Sequence, residues 1–91
     1  MPVQRLTVSP SPMHGEAAIR YVLPRAARVT LAVHDVRGRR VAILAEGMEE
    51  AGAHTVSWAG CDAGGAAVVP GVYWVRLMSG GDTVTQKVIR E

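Results

Sequence analysis

Apolar and polar positions alternate with a period of two in several short stretches of this chain, and turn-forming residues separate them. Ala17 to Leu23 puts Ile19, Tyr21 and Leu23 on one side and Ala18, Arg20 and Val22 on the other, as a half-buried strand requires. Ala27 to His34 repeats this, with Val29, Leu31 and Val33 inward and Arg28, Thr30, Ala32 and His34 outward. Between the two, Pro24-Arg25-Ala26 turns the chain. Asp35 to Arg39 is predicted to close a hairpin, with Gly38 in the left-handed position that a type I turn plus bulge needs. Arg40 to Ala45 is a further strand whose phase is hidden, because Val41-Ala42-Ile43-Leu44 is apolar throughout; a bulge or burial on both sides accounts for such a run. Glu46 to Gly52 is expected to be an acidic loop, too short to hold a helix at Met48-Glu49-Glu50-Ala51.

His54, Val56 and Trp58 then share one face of a strand. A loop rich in glycine follows, and Tyr73, Val75 and Leu77 alternate with Val72, Trp74, Arg76 and Met78. The face that carries Trp74 is not expected to be fully solvated. Ser79-Gly80-Gly81-Asp82 is a hairpin turn before a closing strand over Thr83 to Arg90, and at the other end Val3 to Ser9 is an edge strand running into Ser9-Pro10-Ser11-Pro12, where prolines remove ladder donors. Short strands punctuated by turns, with no helix of three turns, predict an all-β fold: a seven-stranded antiparallel immunoglobulin-like β-sandwich, with a small barrel as the alternative. The stretch from Trp58 to Trp74 holds both tryptophans and organises the core, since each buried aromatic removes about 150 to 250 Å² from water.

Composition narrows the class. With 91 residues, 48% apolar and 20% charged, residues 1–91 are expected to form one globular domain near the size where a single core is only just sufficient. Ten cations against eight acids give a net charge of +2, which supports no strong claim for nucleic acid or membrane. Cys61 is the lone cysteine, so an internal disulfide is excluded. No apolar run approaches the roughly 18 to 20 residues of a membrane span, and no apolar stretch of a secretory signal follows Met1-Pro2-Val3-Gln4-Arg5.

No constellation for catalysis emerges. Gly60 to Gly65 has the glycine spacing of a phosphate loop, yet Ala66 and Ala67 stand where lysine and a hydroxyl residue would hold phosphate and magnesium. His14, His34 and His54 lie at unrelated phases without a cysteine pair, and read as solvated side chains rather than zinc ligands. Asp35, Asp62 and Asp82 each sit near a glycine, where aspartate bonds its own backbone, and none shows the dense ligands of a calcium loop. Cys61 has no neighbouring base, and no serine lies in a nucleophile elbow. Arg37, Arg39 and Arg40 read as a solvated turn, since sheet readers of nucleic acid interleave several exposed aromatics and only Trp74 is available.

From Ser11 to Ile89 the order of motifs resembles the immunoglobulin-like domain of flagellar hook-capping proteins and the C-terminal sorting domains of type IX secretion cargo. The matching pieces are Ser11-Pro12-Met13, Ile19 to Pro24, Val33 to Val41, Ala51 to Trp58, Asp62 to Gly65, Gly71-Val72-Tyr73 and Lys87-Val88-Ile89. Ser11 and Met13 stand where that family usually opens with asparagine and phenylalanine, and Ala59 and Cys61 replace its usual polar and basic residues after the tryptophan.

The resemblance implies a secreted or surface bacterial protein in which this module ends a longer chain, usually behind an enzyme or adhesin domain; for the module itself the residues lead us to expect no enzymatic role and no cofactor. It leaves two readings. One is a sorting and attachment signal read by secretion machinery through its last strands. The other is a structural or binding module that packs on a neighbouring domain or self-assembles. The candidate recognition residues are Lys87, Arg90, Trp74 and Arg76.

Overall fold

In the computed structural model, which describes residues 5–91, the period-two stretches become strands β1 (Arg5–Ser9), β2 (Ala17–Leu23), β3 (Ala27–His34), β4 (Arg40–Glu49), β5 (Gly52–Trp58), β6 (Gly71–Ser79) and β7 (Asp82–Arg90). The expected start of the first strand at Val3 lies outside the described residues. Two antiparallel sheets face each other, ordered β1-β2-β5 and β4-β3-β6-β7, and the fold is an immunoglobulin-like β-sandwich. The inward positions are those the alternation assigns: Ile19, Tyr21, Leu23 and Trp58 from one sheet meet Val29, Leu31, Val33, Tyr73, Val75 and Leu77 from the other, all buried. Burying such side chains is the dominant favourable contribution, about 1.5 to 3 kcal/mol for each aliphatic one.

The two ends of the Trp58 to Trp74 stretch behave differently. Trp58 is 2% exposed and packs edge-on to Tyr73, with ring centroids 5.5 Å apart, while its Nε1–H donates to Cys61 O at 2.9 Å. Tyr73 in turn donates its hydroxyl to Val69 O at 2.6 Å. Both aromatics thus use a polar tip to tie the glycine-rich loop to the core, as buried Trp and Tyr must. Trp74 points to the opposite face of its sheet.

Two expectations need correction, and between them an open alternative is decided in favour of the bulge. The acidic stretch Glu46 to Gly52 is not a loop: β4 runs on to Glu49, paired along its length with β3 through Thr30↔Glu46, Val29↔Gly47, Arg28↔Met48 and Ala27↔Glu49. Ladder pairing overrides the weak strand propensity of Glu and Gly here, because β3 offers main-chain partners over its whole length. The apolar run Val41 to Leu44 is explained by two register shifts, opposite Leu31/Ala32 and Val33/His34, which leave Val41 and Leu44 packed on the core and Ile43 outward. Lastly, His34 faces outward as expected but is only 8% exposed, and Ala32 beside it is fully covered. Of the three histidines, His14 is exposed, His54 is half-buried and His34 is buried, so solvation describes only the first.

Met13 has 0% exposure and fills the core from outside the strands. Its N–H donates to Ile89 O at 2.7 Å and its carbonyl accepts from Glu91 N at 3.0 Å, so the link between β1 and β2 pairs with the end of β7. An apolar side chain at this point, whether phenylalanine or methionine, closes the sandwich between its sheets.

Candidate functional site

The sequence-derived candidates separate into a group and an outlier. Trp74, Arg76 and Lys87 lie together on the outer face of the four-stranded sheet, where register sets His34 beside Trp74 and Trp74 beside Lys87, and in the next row Ala32 beside Arg76. Arg90 projects the other way. Its Nε reaches Gly60 O at 3.4 Å, and Gly60 takes φ +74°, which favours glycine; a Cβ there would sit 2.6 Å from Arg90 Nε and force the arginine to move. Arg90 therefore acts in this fold as a brace between the last strand and the glycine-rich loop.

On that outer face the alternation of β6 exposes Trp74 at 37% and Met78 at 38%, and β4 adds Ile43 and Met48. Arg28, Arg40, Arg76 and Lys87 carry its positive charge, and none makes an ion pair among the described residues. Beneath it, burial and the neighbouring guanidiniums of Arg76 and Arg40 push the His34 imidazole below its ordinary pKa, with Asp35 opposing them. Among the described residues, His34 Nδ1 and Arg76 Nε are buried without a protein hydrogen-bond partner. Sequence reasoning missed the part played by His34, because alternation reports a side chain's face and says nothing of what its neighbours cover.

At one end of this sheet an open groove of about 830 Å³ runs between the β3–β4 hairpin and the loop of residues 59–70, with Asp35, Arg37, Arg40, Asp62, Val69 and Tyr73 along it. Its two aspartates are occupied by their own turns. Asp35 Oδ1 accepts from Arg37 N and Arg39 N at 2.9 and 3.0 Å, and Asp62 Oδ1 accepts from Gly64 N and Ala66 N at 2.9 and 3.0 Å. These bonds hold the Asp35 carboxyl below the usual carboxylate range, the Arg39 amide contributing most. Among the described residues, no group of three or more His, Cys, Asp or Glu side chains is placed to hold a metal ion.

The last strand has a distinctive border. β7 pairs with β6 on one side and is an edge on the other, where its end is covered: Ile89 N donates to Ser11 Oγ at 3.2 Å and Ile89 O accepts from Met13 N. Main-chain direction alternates along a strand, so Thr83, Thr85 and Lys87 turn their N–H and C=O groups toward the same edge, beyond the covered end.

The model of the FlgD Ig-like domain matches residues 7–82. The chain belongs to the FlgD Ig-like domain family. Such an FlgD-type domain is a structural, non-catalytic module. Its fold is shared by part of the dimeric latent PorU from Porphyromonas gingivalis, with 18% identity and a TM-score of 0.77 over 99% of this chain and 9% of that one. PorZ, described as an essential bacterial surface component of the type-IX secretion system of the same organism, gives 18% identity and a TM-score of 0.62 over 94% of this chain and 11% of that one. The Pseudomonas fluorescens alkylpurine DNA glycosylase AlkC, bound to DNA containing an abasic site analog, gives 15% and 0.64 over 98% and 30%. The FlgD-type chain thus spans only a small part of these larger proteins. No curated protein matches it. Among the described residues, no helix is long and apolar enough to cross a membrane.

Proposed function

We propose that residues 1–91 form one C-terminal module of a longer exported bacterial protein, and that the module serves as a non-catalytic sorting and cell-surface attachment domain. The observation that carries this reading is the edge of β7: Thr83, Thr85 and Lys87 offer main-chain groups that are unpaired among the described residues, beside an exposed lysine, the arrangement a partner strand recognises by pairing. The shared fold with domains of PorU and PorZ, and the FlgD-type match, support it. Secretion machinery reads the edge, and the protein is secreted or held at the cell surface.

A second reading, a structural module packing on a neighbouring domain or self-assembling as in filament proteins, is favoured by one observation: the solved domains of like fold are embedded in much larger chains. The two separate in a secreting host. Lys87→Glu in a reporter fusion is expected to reduce export while circular dichroism of the purified domain stays native, because an exposed lysine contributes little to stability. Unchanged export after removal of the whole domain would sink the sorting reading in favour of the structural one.

A further inference from the structure

The two outer faces of the sandwich differ in kind. On the three-stranded sheet the outward positions, such as Thr7, Thr55 and Ser57, are small or polar apart from Val22, which is half-buried, and the two arginines Arg5 and Arg20. The four-stranded sheet instead exposes Ile43, Met48, Trp74 and Met78, each between 37% and 64% accessible. Concentration of the large exposed apolar side chains on one face, rather than their scatter, is what marks an interaction surface. Charges are interleaved with them: Arg76 stands between Trp74 and Met78, Lys87 beside Trp74, Arg28 beside Met48 and Arg40 beside His34, with Glu46 as the carboxylate among the described residues of that face. Among the described residues, His34 Nδ1 and Arg76 Nε in the same patch are buried without a protein hydrogen-bond partner, which leaves them for water or a bound partner to satisfy.

We infer that this face docks a protein surface on which apolar side chains alternate with carboxylates. The inference rests on the reading of the domain as a protein-binding module, and gives that module a second contact besides the β7 edge. Charge selects the occupant. A second copy docking face to face would oppose the same arginines and lysine, and like charges across an interface cost several kcal/mol. Single-stranded nucleic acid stacks successive bases on several aromatics, and this face has only Trp74. A partner with carboxylates set between its apolar side chains pairs the free cations, while those apolar side chains cover Trp74, the type of residue that dominates such contacts. At strand spacings of about 4.8 Å and a rise of about 3.3 Å per residue, the face measures on the order of 400 Å². That suits a transient or auxiliary contact rather than an obligate one.

The test is a titration of the isotope-labelled 91-residue chain, followed by its amide and indole NMR signals. The probes are short peptides of alternating Glu and Leu, of alternating Lys and Leu, and of alternating Glu and Ser, together with an oligothymidylate. Saturable shifts at Ile43, Trp74, Arg76 and Lys87 are expected with the Glu/Leu peptide. Binding of the other peptides and of the oligonucleotide should be about tenfold weaker or worse, and Trp74→Ser or Lys87→Glu should each weaken the Glu/Leu peptide about tenfold. Shifts centred on Thr7, Arg20 and Thr55, equal binding of the Lys/Leu peptide or the oligonucleotide, or a dimer in sedimentation that Trp74→Ser abolishes would each overturn the inference. In the reporter assay, normal export of Trp74→Ser alongside export lost on domain removal would count against this face and spare the sorting reading. Normal export after domain removal would do the reverse, leaving the titration to decide the face.

Discussion

At the scale of single residues, the aromatic contacts carry the largest penalties. Trp58→Ala is expected to lose about 3 to 5 kcal/mol in a denaturant titration, since it removes the ring packed on Tyr73 and the bond to Cys61 O together. A loss under about 1 kcal/mol would place Trp58 outside the core. Tyr21 stacks on His54 with centroids 5.3 Å apart and donates its hydroxyl to the Glu49 carboxylate, and its burial and that bond hold the phenol protonated well above its usual range. His54 completes the cluster through Nε2 and Glu50 O at 2.7 Å. Tyr21→Phe should therefore cost about 1.5 to 3 kcal/mol, as for a hydrogen bond to a charged group, with the fold retained by near-ultraviolet circular dichroism.

His34 gives a pH dependence whose sign follows from its depressed pKa. The unfolded chain takes up its proton at the ordinary value near 6.5, whereas the folded state resists it because the ring is buried and lies near Arg76 and Arg40. Below about pH 6.5 the unfolded state then binds more protons, so this residue's contribution is present at higher pH and is lost as pH falls toward the folded pKa. Denaturant midpoints measured from pH 7.5 down to 5 should decline for the native chain and decline less for His34→Gln. Equal slopes would mean that His34 is not held neutral.

Elements were legible from the sequence where one side of a strand is apolar and the other is not. Alternation placed Ile19, Tyr21, Val29, Leu31, Trp58, Tyr73 and Leu77 inward, and all are buried. It failed in β4, where the second half carries Glu46, Gly47 and Glu49 and owes its strand form to the β3 ladder rather than to its own pattern. Slow amide exchange within Glu46 to Glu49, comparable with the first half of β4, is the expected consequence. Met13 shows a different limit: a methionine beside prolines carries no period, yet it is fully buried and paired with the end of β7. Met13→Ala should cost about 2 to 5 kcal/mol and speed exchange of the Glu91 amide, whose bond to Met13 O depends on that segment staying seated.

For the molecule as a whole, the sandwich, its FlgD-type family and the turn roles of Asp35 and Asp62 could be read in advance, because they rest on local pattern. The grouping of Trp74, Arg76 and Lys87 away from Arg90 could not. It depends on which strands are neighbours, and on Gly60 lying close enough for Arg90 to brace it. The resulting molecule has a mostly polar face on one sheet, an apolar and cationic face on the other, and an open main-chain edge on its last strand, the features that the proposed role uses. The most direct measurement transplants the domain onto the carboxyl end of a reporter in a bacterial host that carries a type IX secretion system, and compares surface-exposed reporter with and without it. The account predicts reporter at the surface only when the domain is attached and folded. Equal surface reporter in both cases, or none in either while the fused domain is folded, would contradict it.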